Sequence, residues 1–186
     1  MSTWIVGKKP NAKYQMKLNL GCGSDYRQDY TNVDQPRAVT PKDLAVDLSV
    51  LPWPFDDNSA DEILMMGSLE HLPDPHKNVI EVHRILKPGG LFYCTVPYAK
   101  SDGAFQSMEH KCFFTEKSFD YFCGISGYDA FGGPLFEMIS VKFVQPHNTI
   151  KTRLILLLPF RNILKWFLWN MYDSVEFVMR KRNAPK

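Results

Sequence analysis

Gly21-Cys22-Gly23 and Asp34 are the residues whose types and spacing first suggest chemistry. The glycines follow a short buried-type run, Leu18-Asn19-Leu20. Asp34 comes eleven positions after Gly23, at the end of a second short run, Thr31-Asn32-Val33. A strand entering a turn tight enough to need glycine, with an acid at the tip of the next strand, is how α/β sheets hold an adenosine ribose. Glycine lets the backbone approach the ligand closely, and a carboxylate accepts hydrogen bonds from the ribose hydroxyls. Cys22, between the glycines, reads as a small space-filler rather than a nucleophile.

His71 and His110 are the candidates for a general base, the residue type most often used to take a proton near neutral pH. His71 follows the fourth apolar run, and strand ends of α/β sheets face the ligand crevice. His110 lies in a segment, Phe105 to Phe114, placed to form a lid. A loop-orienting role for Glu70-His71 and an exposed loop position for His110 are the alternatives. Tyr98 is a weaker third candidate. Asp56-Asp57-Asn58-Ser59 is turn chemistry, and no metal is expected there or elsewhere.

The elements that must position these groups alternate along the chain. Residues 1–15 read as a polar arm around Trp4-Ile5-Val6. Strands are expected at Met16–Leu20, Thr31–Asp34, Leu44–Leu48, Asp61–Met66 and Leu91–Val96. The run Ile63-Leu64-Met65-Met66 is continuously apolar, as a central parallel strand should be. Asp74-Pro75 starts a helix, with Asp as N-cap and Pro at the first position. Lys87-Pro88-Gly89-Gly90 stops it. A short helix is expected over Thr115–Phe122, strands over 136–144 and 152–158, and a long amphipathic helix over 161–182. Alternating strands and crossovers point to an α/β fold with a mostly parallel sheet.

A chain of 186 residues accommodates one domain. No signal peptide is visible, and the four cysteines lack Cys-x-x-Cys or zinc spacing, which suits a reduced cytoplasmic protein. Charge divides the chain into a core over 1–149 and an extension over 150–186. The extension carries eight basic and two acidic side chains, +6 locally against +2 overall. Pro159, Arg161 and Lys165 interrupt its apolar runs short of the roughly 18 residues a membrane span needs. Packing on the sheet, a homodimer, or peripheral membrane contact through residues 150–182 are the alternatives for its apolar stripe. Nucleic acid fits poorly, because no basic stripe with interleaved aromatics appears in the body of the protein.

In order and spacing, the motifs resemble the class I S-adenosylmethionine-dependent methyltransferases, in a compact subgroup similar to the type-11 enzymes. The residues that carry the resemblance are Leu-Asn-Leu-Gly-Cys-Gly (18–23), Asn-Val-Asp (32–34), Val-Asp-Leu (46–48) and Leu-Pro-Trp-Pro-Phe (51–55). Ser-Leu-Glu-His-Leu (68–72) and Arg-Ile-Leu-Lys-Pro-Gly-Gly (84–90) complete it. The resemblance implies a Rossmann-like fold with a seven-strand-type sheet and S-adenosylmethionine as cofactor. It also implies methyl transfer to an oxygen or nitrogen of a small molecule, with a glycan or lipid precursor as candidate acceptor. A cofactor-binding partner subunit without activity is the alternative. By position, Gly21, Cys22 and Gly23 would line the methionine and ribose, and Asp34 would hold the ribose hydroxyls. Asp47 and Leu48 would sit by the adenine, and Gly67 and Ser68 would face the methionine end. Two departures stand out. Asp25 occupies the place of a third glycine. The links from Gly23 to Asp34 and from Asp34 to Asp47 are too short for a three-turn helix plus its turns. One sheet face should therefore be thinly covered by helices, and something else must bury it.

Overall fold

Period-2 burial builds the centre of the molecule. In the computed structural model, which describes residues 15–127, 133–145 and 150–182, β1 (Lys17–Leu20), β2 (Thr31–Asp34), β3 (Leu44–Ala45), β4 (Ala60–Met66) and β5 (Leu86–Pro97) run parallel. β6 (Phe136–Val144) and β7 (Ser174–Lys181) complete one seven-stranded sheet of order β3-β2-β1-β4-β5-β7-β6, with β7 antiparallel to both neighbours. The chain order reverses at β1, between β2 and β4, and that reversal opens a ligand crevice at the strands' carboxyl ends.

Register puts Leu18, Ile63, Phe92, Met179 and their neighbours two residues on, Leu20, Met65, Cys94 and Phe177, on one face, all fully buried. Helix α1 (Pro75–Ile85) turns Val79, Val82 and Ile85 to the core, and the four-residue α2 (Asp102–Phe105) follows β5. Asp74 caps it by accepting from the Lys77 amide at 3.0 Å. Beside it, Phe119 packs on Phe177 with ring centroids 4.5 Å apart and on Phe92 at 6.4 Å.

The opposite face carries polar side chains among apolar ones such as Leu64, Tyr93 and Val178. Lys17 pairs with Glu62 at 3.0 Å, and Tyr30 donates to the same carboxylate at 2.7 Å. Thr95, Glu176 and Lys142 continue that face in register and are half-buried or exposed. Asn19 and Leu64 on the same face are nonetheless buried.

Three expected elements are corrected. Residues 115–124 form successive turns rather than a helix, with i to i+3 bonds such as Ser118 N–H to Thr115 O and Phe122 N–H to Phe119 O. The strand expected at 152–158 is helix α3 (Ile150–Leu157). The long helix expected over 161–182 is instead the four-residue α4 (Arg161–Leu164), then a turn with Asn170 at φ 57, then β7. Val175, Phe177 and Met179 are buried at alternate positions, and two-sided pairing with β5 and β6 outweighs the helical spacing. Of the apolar stripe expected along that helix, Leu164, Leu168, Met171 and Val175, the last two are buried, Leu164 is half-buried and Leu168 is exposed. The third strand is shorter than expected. The fifth begins earlier, at Leu86, because Lys87-Pro88-Gly89-Gly90 is absorbed into its start. The arm's Trp4-Ile5-Val6 lies outside the described residues.

Candidate active site

A cleft of about 680 Å³ lies over the ends of β1, β2 and β4, within the roughly 300–1,000 Å³ of small-molecule sites. Gly21, Gly23, Asp34, Asp47, Leu48, Gly67, Ser68 and His71 all line it. Of the residues read from the sequence, Cys22 and His110 are not on that wall. Cys22 is buried behind the turn, its thiol 3.7 Å from Pro41 O, and burial pushes its pKa up.

The glycine turn is required by its surroundings. Gly21 has φ +69, and a Cβ there would stand 2.5 Å from Ser68 Cβ. Ser68 in turn donates its hydroxyl to Leu20 O at 2.9 Å, so the β1 and β4 loops interlock. Gly23 (φ +49) faces open space, which leaves room for a ligand against the backbone. Its N–H donates to Asp34 Oδ2 at 2.8 Å, and the Gln35 N–H donates to Asp34 Oδ1 at 2.7 Å. A carboxylate offers about four acceptor positions, so two remain for vicinal hydroxyls. Where the family often has a third glycine, Asp25 closes the turn through its own N–H to Cys22 O, and its carboxylate pairs with Arg27.

The adjoining wall is set by a clamp from α1. Trp53 is buried and donates Nε1–H to Leu48 O at 3.1 Å, while its backbone N–H donates to Glu81 Oε1 at 2.7 Å. Arg84 donates to Trp53 O and Phe55 O and pairs with Glu81 and Asp57. The motif at 84–90 thereby anchors the motif at 51–55, which holds Leu48 against the cleft. Asp47 Oδ1 accepts from the Ser49 hydroxyl and amide, bonds that hold its pKa below the usual carboxylate value.

At the far end, His71 on the 3-10 turn Leu69–His71 meets His110, with ring centroids 4.7 Å apart and edge-on. His110 donates Nδ1–H to Ala104 O at 2.9 Å, which leaves Nε2 as the unprotonated nitrogen of the neutral ring. Burial first, then the electrostatic effect of His110, lower the His71 pKa. Glu70 is 2% exposed, one carboxylate oxygen has no hydrogen-bond partner, and burial raises its pKa. Its backbone carbonyl accepts from Lys111 N–H at 2.8 Å, docking the 101–114 segment on the turn. Glu70, His71 and His110 have ligand atoms within 4.8 Å of one another, the one group among the described residues with metal-holding spacing. Tyr98 is packed away from the cleft against Phe143.

Sequence reasoning missed Glu70's burial and the contributions of Glu109 and Lys111 to the cleft. A pair of charged residues flanking His110 in a lid was the available signal.

A sheet of this order, with a glycine turn facing an acid across the chain reversal, is the architecture of the class I methyltransferases. The chain is similar to that class: residues 18–94 match the family described as "Methyltransferase domain". A demethylmenaquinone methyltransferase of Staphylococcus epidermidis is 32% identical over 73 residues, 39% of this chain and 30% of the relative. The matched segment thus spans less than a third of that relative's length. A S-adenosylmethionine-dependent methyltransferase from Archaeoglobus fulgidus superposes with TM-score 0.61 at 11% identity, covering 91% of this chain and 87% of its own. The [4+2]-cyclase SpnF superposes with TM-score 0.58 at 15% identity, covering 91% and 75%.

That similarity implies S-adenosylmethionine as cofactor, and the residues present fit it. The opening at Gly23, the unspent acceptor capacity of Asp34 and the apolar wall at Leu48 are complementary to a turn-bound nucleoside.

Proposed function

We propose that the protein is a S-adenosylmethionine-dependent methyltransferase acting on an oxygen or nitrogen of a small molecule. The observation that carries this reading is one cleft with a ribose-type acid, Asp34, on one wall and a neutral-biased imidazole, His71, on another. When bound, the cofactor supplies a methyl group on a sulfonium for in-line displacement.

The chain's own residues do the rest. Asp34 accepts from the ribose hydroxyls, Asp47 and Leu48 border the adenine, and Gly21, Cys22 and Gly23 shape the turn beneath. Gly67 and Ser68 hold the methionine end. His71 takes the proton that the acceptor's oxygen or nitrogen releases, with His110 beside it disfavouring protonation beforehand. Orientation of acceptor against methyl supplies much of the rate, up to roughly 7–11 kcal/mol in ideal cases.

A lipid precursor is the favoured acceptor and a glycan precursor the alternative. Large apolar side chains stand exposed on the lid, among them Phe105 and Phe113. The Staphylococcus relative, named for demethylmenaquinone, agrees with an acceptor of that kind.

The second reading is a cofactor-binding module or partner subunit that performs no transfer. The likeness to SpnF favours keeping it, since that neighbour is described as a cyclase. Incubation with methyl-labelled cofactor and a cell extract separates the two. Label appearing in a small-molecule fraction supports the enzyme; saturable cofactor binding with no transfer to any fraction supports the module.

A further inference from the structure

Residues 150–172 contain four basic side chains, Lys151, Arg153, Arg161 and Lys165, and no acidic one. Within this segment Leu157, Phe160 and Phe167 are 80%, 76% and 78% exposed, with Trp166 and Trp169 exposed beside them. A monomer rarely leaves so many large apolar groups together in water. The backbone holds them there: Phe160 has φ 55, a conformation that costs a non-glycine residue strain, and it ends α3's turn and starts α4. No helix of the described residues is long and apolar enough to cross a membrane. Short helices with tryptophan, phenylalanine and basic residues suit the interface instead.

The segment is also fastened to the lid. Asn170 N–H donates to Lys100 O at 2.8 Å, Asp102 N–H donates to Asn170 Oδ1 at 2.6 Å, and Lys100 Nζ donates to Trp166 O at 2.7 Å. Trp169 lies 5.9 Å from Phe105, which stacks on Phe113 at 4.5 Å. That same lid carries His110 and the cleft-lining Glu109 and Lys111.

We infer that this face docks on an anionic lipid surface, with α3, α4 and the following turn lying in the headgroup layer. The docked lid then receives a lipid-anchored acceptor directly from the bilayer, a step that rests on the methyltransferase reading. Charge selects this occupant over a second copy of the chain. A two-fold contact would set the same acid-free basic segment against itself, whereas anionic headgroups neutralise it. Arg161 is exposed at the start of α4, while Lys165 turns inward to Glu116 at 3.3 Å.

Co-sedimentation of the full chain with phosphatidylcholine vesicles, with and without phosphatidylglycerol, tests this. Binding should require the anionic lipid and weaken as salt is raised. Phe160→Ser/Phe167→Ser should lower it about tenfold or more, and Arg161→Glu should lower it as well. Both variants should keep wild-type cofactor affinity by calorimetry, because neither site touches the cleft. Equal binding to neutral and anionic vesicles, or none to either, overturns the inference. So does a concentration-dependent doubling of mass that Phe160→Ser/Phe167→Ser abolishes, which assigns the face to a second copy. Anionic binding without methyl transfer to any lipid fraction keeps the docking surface and removes acceptor delivery.

Discussion

His71 presents its ring edge-on to His110 at 4.7 Å, and the carbonyl of Ala104 fixes which nitrogen of His110 carries the proton. The His71 pKa is lowered by burial and by His110. A base must be unprotonated to act. The acidic limb of kcat/KM should therefore fall below the roughly 6.5 of an ordinary histidine. His71→Asn should remove that limb and lower the rate about 10²–10⁴-fold. A rate within a factor of two of wild type, with the limb unmoved, takes the base role from His71.

Asp34 is joined to Gly23 and Gln35 by backbone bonds and has acceptor capacity left. Asp34→Ala should weaken cofactor binding by about 1–3 kcal/mol. Titration calorimetry reads this directly, and an unchanged affinity would remove the ribose role.

The two glycines of the turn should differ in their tolerance of a methyl group. At Gly21 an alanine meets both a left-handed φ and Ser68 Cβ at 2.5 Å; at Gly23 it meets only the φ. Gly21→Ala should cost about 2–4 kcal/mol of stability, and Gly23→Ala roughly 1–2. Denaturant unfolding of both variants checks the order, and equal losses would contradict the interlock with Ser68.

His83 gives folding a pH dependence of definite sign. Burial, with help from the Lys181 ammonium, lowers its pKa to about 4. The unfolded chain binds the proton near pH ~6.5, so between these values the unfolded state holds more protons. Stability should then be fully present above about 6.5 and decline as pH falls toward 4. Comparing urea midpoints of wild type and His83→Gln across that window shows whether the slope belongs to His83.

The proposed chemistry uses no metal, although Glu70, His71 and His110 have the spacing to hold one. Transfer should persist after dialysis against EDTA. A rate lost on chelation and restored by one divalent cation would reassign these three residues as ligands.

What was legible before the fold was known follows the range of the forces involved. The glycine turn, Asp34, the Asp74 cap and the run at 63–66 are local signals, and each appears where its residue types require. β7 was not legible. Its Val175, Val178 and Met179, read with Leu164, Leu168 and Met171, fit a helical stripe, and only pairing across the chain to β5 and β6 reveals the alternation at 175, 177 and 179. Glu70 was hidden for a similar reason, because its burial depends on the distant segment around Lys111 that packs against it. The second sheet face was half legible: short crossovers announced missing helices, but Lys17, Glu62 and Tyr30 meet only across strands.

The placement of β7 between β5 and β6 also carries a consequence for biosynthesis. Twenty-nine residues separate the end of β6 from the start of β7, a delay on the order of seconds at ribosomal speed. Over that interval β6 has no ladder to join, and the flank of β5 lies open as a template for stray strands. The cleft needs only residues up to Lys111, all made earlier. A nascent chain can thus carry a nearly finished nucleoside site while its sheet is still ajar, and a captured nucleoside would steady that half-built fold against misassembly.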